Sequence, residues 1–321
     1  MKVVTFGEGI FRTSTESGER LSAAKQLDFY LGGTELNLAA NLKSLGIESE
    51  WVSALPSGPT GQLILEKIRQ LSVETKNCST LKSPRSAWYL METGAEPRPD
   101  VVLHRQASAM ADEKYFNFNW AEILNGAALF HTSGVTAGLS EACTDEVKKA
   151  LSAAKRGGLL TSYDLNYRKN IWSLEESVRR QRDVLNSVDI LFCSKQDLKL
   201  FFSGAFDDGN YSQIFSQSQL QILVMVQRSH DNTEYGIEVV TANEKHSSTR
   251  YKFKLVDRIG VGDSAAAGFI KCYLSTKDLR LSAQWAALAG ALKYGIKGDM
   301  ALLSESEIKT VLEAQHSGVI R

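Results

Sequence analysis

The stretch Asp257–Gly268 places two glycines and a carboxylate where a strand pattern changes to a helix pattern. Gly260 and Gly262 allow the backbone to turn tightly and let a ligand approach closely. The N–H groups of the first helical turn have no intrahelical partners, and with the helix dipole they form an anion site. Asp263 would repel that anion, which makes sense if it acts on a neighbouring hydroxyl. The turn therefore predicts phosphate chemistry with a carboxylate base.

Two other interpretations of this turn are open. Asp is a favoured N-cap residue, so Asp263 would in that case only begin a helix. The run Gly260–Ala265 also matches the G-x-G-x-x-A pattern of dinucleotide-binding folds. That pattern requires a βαβ unit, whereas here the helix is followed by more helix, which disfavours it. A Walker A loop is excluded, because the chain contains no Gly-Lys dipeptide.

Strand and helix patterns alternate through most of the 321 residues. Such alternation predicts an α/β fold, a doubly wound and mostly parallel sheet with helices on both faces. The predicted strands are Lys2–Phe6, Glu50–Ala54, Ala128–His131, Leu159–Asp164, Ile190–Cys193 and Ile222–Gln227. The predicted helices include Glu141–Arg156, a helix near Arg179–Asn186, and Ser264–Leu274, Ser282–Tyr294 and Glu305–Gln315.

Two regions interrupt this alternation with strands that have no helix between them. They cover about residues 11–31 and 86–105, the second with runs at Ser86–Glu92 and Val101–Arg105. We expect them to form a small β-sheet lid that stands off the main domain. A pair of surface hairpins is the alternative.

The composition excludes several classes of protein. Lys+Arg and Asp+Glu both number 37, so the chain lacks the basic excess of a nucleic-acid binder. No apolar run approaches the ~18 residues of a transmembrane helix, and the apolar N-terminus is too short for a signal peptide. The four cysteines form no C-x-x-C pair, which argues against a zinc site. We therefore expect a cytoplasmic protein with no nucleic-acid or membrane partner.

A second glycine motif lies near the start of the chain, at Leu31–Ala39, where Gly32-Gly33 precede a helix that carries Asn37. Together with Asp257–Gly268 it resembles the two signatures of the ribokinase-like (PfkB) sugar kinases, in the same order. The resemblance extends over essentially the whole chain. It implies one ribokinase-like kinase domain over residues 1–321, with ATP and Mg²⁺ as cofactors and a small-molecule sugar as substrate.

Within that family the chain looks most similar to the 2-keto-3-deoxygluconate kinases. The most informative run is Asp164–Arg168, because it closes a strand where α/β sheets bind ligands. The other matching stretches are Gly18–Leu21, Gly94–Pro99, Trp172-Ser173, Ala291–Tyr294 and Gly298-Asp299.

The resemblance implies a role for each candidate site residue. Asp263 would be the catalytic base, with the backbone N–H groups of Gly260, Val261 and Gly262 stabilising the transferred phosphoryl group. The residues expected to bind the substrate are Gly33, Thr34, Asn37, Tyr89, Arg105 and Arg168. Those expected to bind ATP are Asn166, Ser194, Gln227, Gly260 and Gly262.

The metal site is one place where the chain departs from the family pattern. Family members often carry Asn-x-x-Glu near a strand end, and here Ser194 and Asp197 occupy those places. Asp197 is expected to support magnesium through water.

The expected activity is phosphorylation of a primary hydroxyl of 2-keto-3-deoxygluconate, giving its 6-phosphate. Arg105 and Arg168 would pair with the substrate carboxylate or the phosphates. Two alternatives are open: a kinase for a neutral ketose or pentose such as fructose or ribose, and a sugar-binding regulator with weakened catalysis. A homodimer through the lid is a further expectation.

Overall fold

The structure is a computed structural model. It describes residues 1–82, 85–93, 102–105, 108–112, 116–202, 211–216 and 218–316. The motif at residues 94–99 and the turn between the predicted lid strands lie outside the described residues.

The strands follow the sequence pattern at most predicted places. In chain order they are β1 (Lys2–Phe6), β2 (Ile10–Ser14), β3 (Asp28–Gly32), β4 (Glu48–Val52), β5 (Ala54–Pro56), β6 (Ser79–Leu81), β7 (Ala87–Met91), β8 (Val102–His104), β9 (Ala127–Ser133), β10 (Leu160–Asp164), β11 (Ile190–Ser194), β12 (Ile222–Arg228), β13 (Glu234–Val240), β14 (Lys245–Ser247) and β15 (Tyr251–Lys252).

The helices begin and end at recognisable signals. For example, the helix of residues 141–156 begins after Ser140, whose Oγ accepts a hydrogen bond from Cys143 N at 3.1 Å, and it ends at Gly157. The helices are α1 (Thr34–Ser44), α2 (Pro59–Gln70), α3 (Trp120–Ile123), α4 (Gly134–Ala137), α5 (Glu141–Arg156), α6 (Leu174–Leu185), α7 (Lys195–Phe201), α8 (Ser212–Ser216), α9 (Val261–Thr276), α10 (Leu279–Lys293) and α11 (Glu305–His316), with a 3₁₀ turn at Ala109–Ala111.

The main sheet has the order β14-β13-β12-β11-β10-β9-β1-β4, and β15 also pairs with β13. All strands from β12 to β4 are parallel to their neighbours, whereas β13, β14 and β15 add an antiparallel edge. Apolar side chains of α1, α9, α10 and α11 form one core with the sheet, and those of α5, α6 and α7 form another. Helices therefore cover both faces of a mostly parallel sheet, as predicted.

A separate small sheet has the order β3-β2-β7-β8. The outer pairs β2–β3 and β7–β8 are antiparallel, and the central pair β2–β7 is parallel. The two regions predicted as strand-rich thus form one sheet. The alternative of two independent hairpins is wrong, because β2 and β7 hydrogen-bond to each other.

Three details differ from the sequence prediction. The strand predicted at Glu50–Ala54 is divided into β4 and β5, and β5 pairs with β6 instead of joining the main sheet. Helix α6 begins five residues earlier than Arg179. The antiparallel edge was not predicted: β13 does alternate apolar residues, but its short polar partners such as Lys245–Ser247 do not. Across the described ranges, no helix is long and apolar enough to span a membrane.

Candidate active site

The candidate site lies at the edge of the main sheet where the parallel strands end. Parallel strands share one carboxyl edge, and open α/β sheets bind ligands in the crevice outside that edge. The residues at or just after these strand ends include Glu8, Ser133, Asp164, Ser194 and Gln227. Two predicted ATP-binding residues, Ser194 and Gln227, therefore lie at this carboxyl edge.

The second glycine turn, residues 260–263, leads into α9. Gly260 has a φ of 80°, and a Cβ there would lie 1.8 Å from the Asp299 carbonyl oxygen, so only glycine fits. At Gly262, by contrast, a Cβ would meet no atom within 4 Å. The Val261 N–H makes only a long 3.5 Å contact with Arg258 O. The first turn of α9 therefore opens onto free space and suits an anion.

The two glycine motifs meet through their polar side chains. Asn37, from the first turn of α1, donates a 2.7 Å hydrogen bond from Nδ2 to Asp263 Oδ2, and both side chains are buried. Asn37 Oδ1 is also buried and accepts no hydrogen bond from any residue that the structure describes. A buried acceptor without a partner is costly, so a ligand hydroxyl at this point would be stabilising. The sequence did not predict this direct contact.

The electrostatic environment makes Asp263 a better proton acceptor. Burial is the largest effect and raises the pKa of Asp263 well above its ordinary value. The hydrogen bond from Asn37 opposes this shift, Asp164 and Glu35 reinforce it, and Arg168 opposes it. The carboxylate has a raised affinity for a proton, which suits a general base.

The first glycine turn, residues 32–34, packs closely against protein. Gly33 has a φ of 137°, and a Cβ there would lie 2.1 Å from Glu8 O. Thr34 Oγ1 accepts a hydrogen bond from Asn166 Nδ2 at 3.4 Å, which joins this turn to the end of β10. Asn166 itself has a left-handed φ of 37°, and its N–H donates to Asp164 Oδ1 at 3.2 Å.

The two arginines predicted to bind anions differ in their surroundings. Arg105 Nε lies 2.5 Å from Glu8 Oε2, and Ser108 Oγ donates to the other oxygen of the same carboxylate. Glu8 is only 3% exposed, so Arg105 already neutralises a buried charge. Arg168 is exposed, and its charge lowers the pKa of both Asp164 and Asp263. Sequence reasoning did not find Glu8.

The predicted nucleotide and metal positions also have partners within the protein. Ser194 and Asp197 form a capping box at α7: Ser194 Oγ donates to Asp197 Oδ2 at 2.7 Å, and Asp197 N donates to Ser194 Oγ at 3.0 Å. Gln227 Nε2 donates to Glu238 Oε2 at 2.7 Å, and its Oε1 accepts from Arg250 at 3.1 Å. These side chains would have to share or exchange partners when a nucleotide binds.

Carboxylates near the crevice suit a hydrated metal ion better than a directly bound one. Burial, with a smaller contribution from the neighbouring Asp197, raises the pKa of Asp164 to about 7. Within the described ranges no group of three or more His, Cys, Asp or Glu residues could hold a metal. Magnesium keeps several waters and takes ligands from phosphates, so Asp164 and Asp197 fit as acceptors for those waters.

Tyr89 extends from the small sheet toward the second glycine turn. Its hydroxyl hydrogen-bonds to the carboxylate of Asp299, and burial raises the pKa of Tyr89. Asp299 in turn forms an ion pair with Arg12, whose Nε lies 2.8 Å from Asp299 Oδ1. Burial raises the pKa of Asp299 to about 6, although Arg12 opposes the shift.

Several charged residues around the crevice were missed by sequence reasoning. Most lie inside the motifs already quoted. The only signal for them in the sequence was that they stand close along the chain to the predicted site residues. Arg12 gave a weaker signal, a single arginine in the middle of the strand Ile10–Ser14. The missed residues are Glu8, Arg12, Glu35, Asp164, Asp257 and Asp299.

Comparison with known proteins agrees with this arrangement. The sequence pattern of the pfkB family carbohydrate kinases matches residues 1–305. A 2-dehydro-3-deoxygalactonokinase from Haloferax volcanii is 29% identical over 100% of this chain and 99% of its own. The crystal structure of a 2-dehydro-3-deoxygluconokinase from Thermotoga maritima is 31% identical, with a TM-score of 0.91 over 98% of each chain. That of a fructokinase with bound ATP from Xylella fastidiosa is 18% identical, with a TM-score of 0.82 over 98% of this chain and 99% of its own.

The fold and the crevice define a sugar-kinase architecture of the ribokinase type. This chain belongs to the pfkB family of carbohydrate kinases. The family resemblance that the two glycine motifs predicted is thereby confirmed.

Proposed function

We propose that this kinase transfers the γ-phosphoryl group of ATP to the primary hydroxyl of 2-keto-3-deoxygluconate, with Asp263 as the general base. The observation that carries the proposal is a buried carboxylate at the open beginning of α9, bonded to Asn37. Two relatives that cover nearly the whole chain are named as kinases of 2-keto-3-deoxy sugar acids, and they support the choice of substrate.

The first step is to hold the sugar beside Asn37 and Asp263, the two side chains through which the glycine motifs meet. Asn37 Oδ1 would accept a hydrogen bond from a sugar hydroxyl, since it has no other partner in the described part of the chain. Asp263 would then accept the proton of the primary hydroxyl as that oxygen attacks the γ-phosphorus. In a loose transition state the proton moves late, so the base need not be strong.

The second requirement is to stabilise the negative charge of the transferred group. The N–H groups at the beginning of α9 lie next to the open space beside Gly262, and they would donate to the phosphoryl oxygens. Magnesium, when bound with ATP, would neutralise further phosphate charge, with Asp164 and Asp197 accepting hydrogen bonds from its waters. Asn166, Ser194 and Gln227 would contact the nucleotide along the carboxyl edge of the sheet.

The preference for an acidic over a neutral sugar depends on the arginines near the site. Burying an unpaired carboxylate is very costly, so a sugar acid requires a cation that a neutral sugar does not. Arg105 projects from the end of the small sheet and would share its charge between Glu8 and the substrate carboxylate. Arg168 is exposed beside Asp164 and would join it. The small sheet would act as the lid of a single kinase domain.

The decisive experiment is an ADP-release assay with ATP and a panel of sugars. We expect 2-keto-3-deoxygluconate, or its C4 epimer, to give a higher kcat/KM than fructose or ribose. A charge-assisted hydrogen bond is worth about 1.5–3 kcal/mol, so Arg105→Gln should lower kcat/KM for the acid by about tenfold to a hundredfold. The neutral sugars should change far less.

Two controls make this result interpretable. Removing Arg105 alone leaves Glu8 buried without its cation, so the double variant Glu8→Gln/Arg105→Gln separates lost recognition from lost stability. Arg20→Ala is a control at the opposite end of the small sheet, because Arg20 is 73% exposed and pairs with Glu92, just after β7, at 3.2 Å. A wild-type preference for a neutral ketose would overturn the substrate assignment.

A homodimer through the small sheet is part of the proposal. Phe29, Trp88 and Val102 are 46%, 39% and 47% exposed on that sheet, and a second copy of this zero-net-charge chain would cover them without long-range repulsion. Sedimentation should show a dimer that Trp88→Lys dissociates, and a monomeric wild type would contradict it. The free thiols Cys78, Cys143, Cys193 and Cys272 agree with a cytoplasmic location.

A further inference from the structure

A buried arginine links the small sheet to both glycine turns. Arg12 lies in the middle of β2, and its side chain is 0% exposed. Its NH1 and NH2 groups donate to Asp257 Oδ1 and Oδ2 at 3.2 and 2.6 Å, and its Nε lies 2.8 Å from Asp299 Oδ1. One cation therefore joins two carboxylates, and we call these three residues the arginine cluster.

Asp299 fills the space between the two glycine turns. A Cβ at Gly260 would lie 1.8 Å from the Asp299 carbonyl oxygen, and a Cβ at Gly32 would lie 2.2 Å from Asp299 Oδ2. The same residue thus contacts the turn that leads to Asn37 and the turn that leads to Asp263. Any displacement of Asp299 must move one of these turns or open a gap beside it.

Asp257 attaches the cluster to the approach of the second glycine turn. Its Oδ1 accepts a hydrogen bond from Ile259 N at 3.0 Å, and its Oδ2 accepts one from Gly298 N at 3.0 Å. The backbone before Gly260 and the loop before Asp299 are therefore held by the carboxylate that also binds Arg12.

The small sheet encloses the guanidinium from its own side. Tyr30 and Tyr89 lie opposite Arg12 on the neighbouring strands β3 and β7. The Tyr30 ring is 4.4 Å from the guanidinium carbon, and the Tyr89 hydroxyl bonds to Asp299. A sugar held beneath this sheet would contact the face that carries the cluster.

We propose that Arg12 is a positioning residue that transmits sugar binding from the small sheet to the second glycine turn. When the sheet settles on the sugar, Arg12 carries Asp257 and Asp299 with it and orders residues 260–263 around the phosphoryl group. The sugar thereby tightens nucleotide binding, and by linkage the nucleotide tightens sugar binding equally. This inference rests on the proposed function for the identity of the two ligands.

The charges of the arginine cluster are better explained by coupling between the two ligands than by a contribution to folding stability. Replacing a buried ion pair by apolar residues of similar volume is often neutral or stabilising, so stability alone does not require charge here. A bidentate arginine fixes both the distance and the plane of its partner, whereas lysine is a compact point charge with no such fork. Arg12→Lys therefore keeps the charge and loses the geometry.

The test measures how much a sugar strengthens binding of a non-hydrolysable ATP analogue. Calorimetry gives the analogue's Kd with and without the sugar that the wild type phosphorylates fastest. We expect a ratio of at least about fivefold in the wild type, falling to about one in Arg12→Lys. The readout is the ratio of the two Kd values, because Arg12→Lys also loosens the turn that binds the analogue when no sugar is present. Tyr89→Phe removes one hydroxyl and no charge, so it should lower the ratio of the two Kd values only in part. It carries the test if Arg12→Lys does not fold.

Arg180→Lys is the matched control, because Arg180 is a buried arginine that donates to Thr144, Ala137 O and Ser140 O on other elements. It should keep the wild-type ratio. A wild-type ratio near one, an unchanged ratio in Arg12→Lys, or an equal loss in Arg180→Lys would each overturn the inference. If no sugar is phosphorylated, the proposed function fails instead. Amide exchange then decides: Arg12→Lys should speed exchange at residues 258–264 and leave residues 141–156 unchanged.

Discussion

The two glycine turns use the same local device in opposite ways. Each places glycine immediately before a helix, α1 after Gly33 and α9 after Gly260, and each glycine has a positive φ. The first turn is closed by protein, since Glu8 O occupies the place of a Cβ at Gly33. The second is closed behind Gly260 by Asp299 but open at Gly262.

The first turn is thus closely packed against protein, whereas the second leaves room for a ligand. The closed turn leads into the helix that carries Asn37, and the open turn places the beginning of α9 beside unfilled space at Gly262. The side chains of Asn37 and Asp263 meet at 2.7 Å, so Asn37 orients the carboxylate that we propose as the base. Substitutions that close the open turn or strain the closed one should therefore have different consequences.

Asp263→Asn should have the largest effect on catalysis. Removing a general base usually costs about 10²–10⁴-fold in kcat, and we expect at least about a hundredfold loss here with ATP binding retained. Folding should not suffer. The raised pKa of Asp263 means that ionisation opposes folding, so the wild type loses stability relative to the variant as pH rises above the ordinary carboxyl pKa of about 4.

Steady-state kinetics and thermal melts between pH 4 and 8 check both parts of this prediction. Wild-type turnover in Asp263→Asn would remove the base from the mechanism. The stability advantage of Asp263→Asn over the wild type should grow as pH rises. If it shrinks instead, the surroundings stabilise the ionised carboxylate.

Gly262→Ala should close the open turn without harming the fold. The added methyl group meets no protein atom within 4 Å, and alanine in a helix is favoured over glycine by about 0.5–1 kcal/mol. The methyl would instead displace the phosphoryl group, and a small misplacement can cost about a hundredfold in rate. Gly58→Ala, at the N-cap of α2 and likewise with no atom near the added Cβ, is the control and should keep full activity. Equal activity in both variants would mean that no ligand uses the space beside Gly262.

Gly33→Ala should damage the closed turn through the fold itself. Its Cβ would lie 2.1 Å from Glu8 O at a φ of 137°, and such backbone strain costs about 1–3 kcal/mol. Gly126→Ala is a control for the φ term alone, because Gly126 has a φ of 73° and no atom near its Cβ. Denaturant titration should show the larger loss for Gly33→Ala. Similar losses would mean that the contact with Glu8 O relaxes freely.

Ser194→Asn should have the smallest effect and concerns the neighbouring helix start. Asn is as good an N-cap as Ser, so α7 should persist. One added hydrogen bond is worth about 0.5–1.5 kcal/mol, so the magnesium needed for half activity should fall by about two- to tenfold. Ser173→Asn makes the same change at the start of α6. An unchanged magnesium titration would show that residue 194 does not support the metal.

The local features of this molecule could be predicted because neighbours along the chain determine them. Helix α5 begins and ends where Ser140 and Gly157 indicate, and β1 spans the apolar run Lys2–Phe6 as predicted. The turn at Gly260 has the left-handed conformation that only glycine adopts easily. The antiparallel edge was missed although β13 alternates Tyr235, Ile237 and Val239 with Gly236 and Glu238, and its short partners β14 and β15 carry no clear period.

The sequence by itself determined the fold class, the two glycine turns and the presence of Asn37 and Asp263 at their helices. Only the tertiary structure decided the partners: Arg105 with Glu8, Tyr89 with Asp299, and Arg12 with Asp257, which is 245 residues away. Backbone propensities act over a few residues and can be recognised in a string of letters. A buried charge takes whatever opposite charge the chain topology brings beside it, and that choice is made only when the sheet and its helices have assembled.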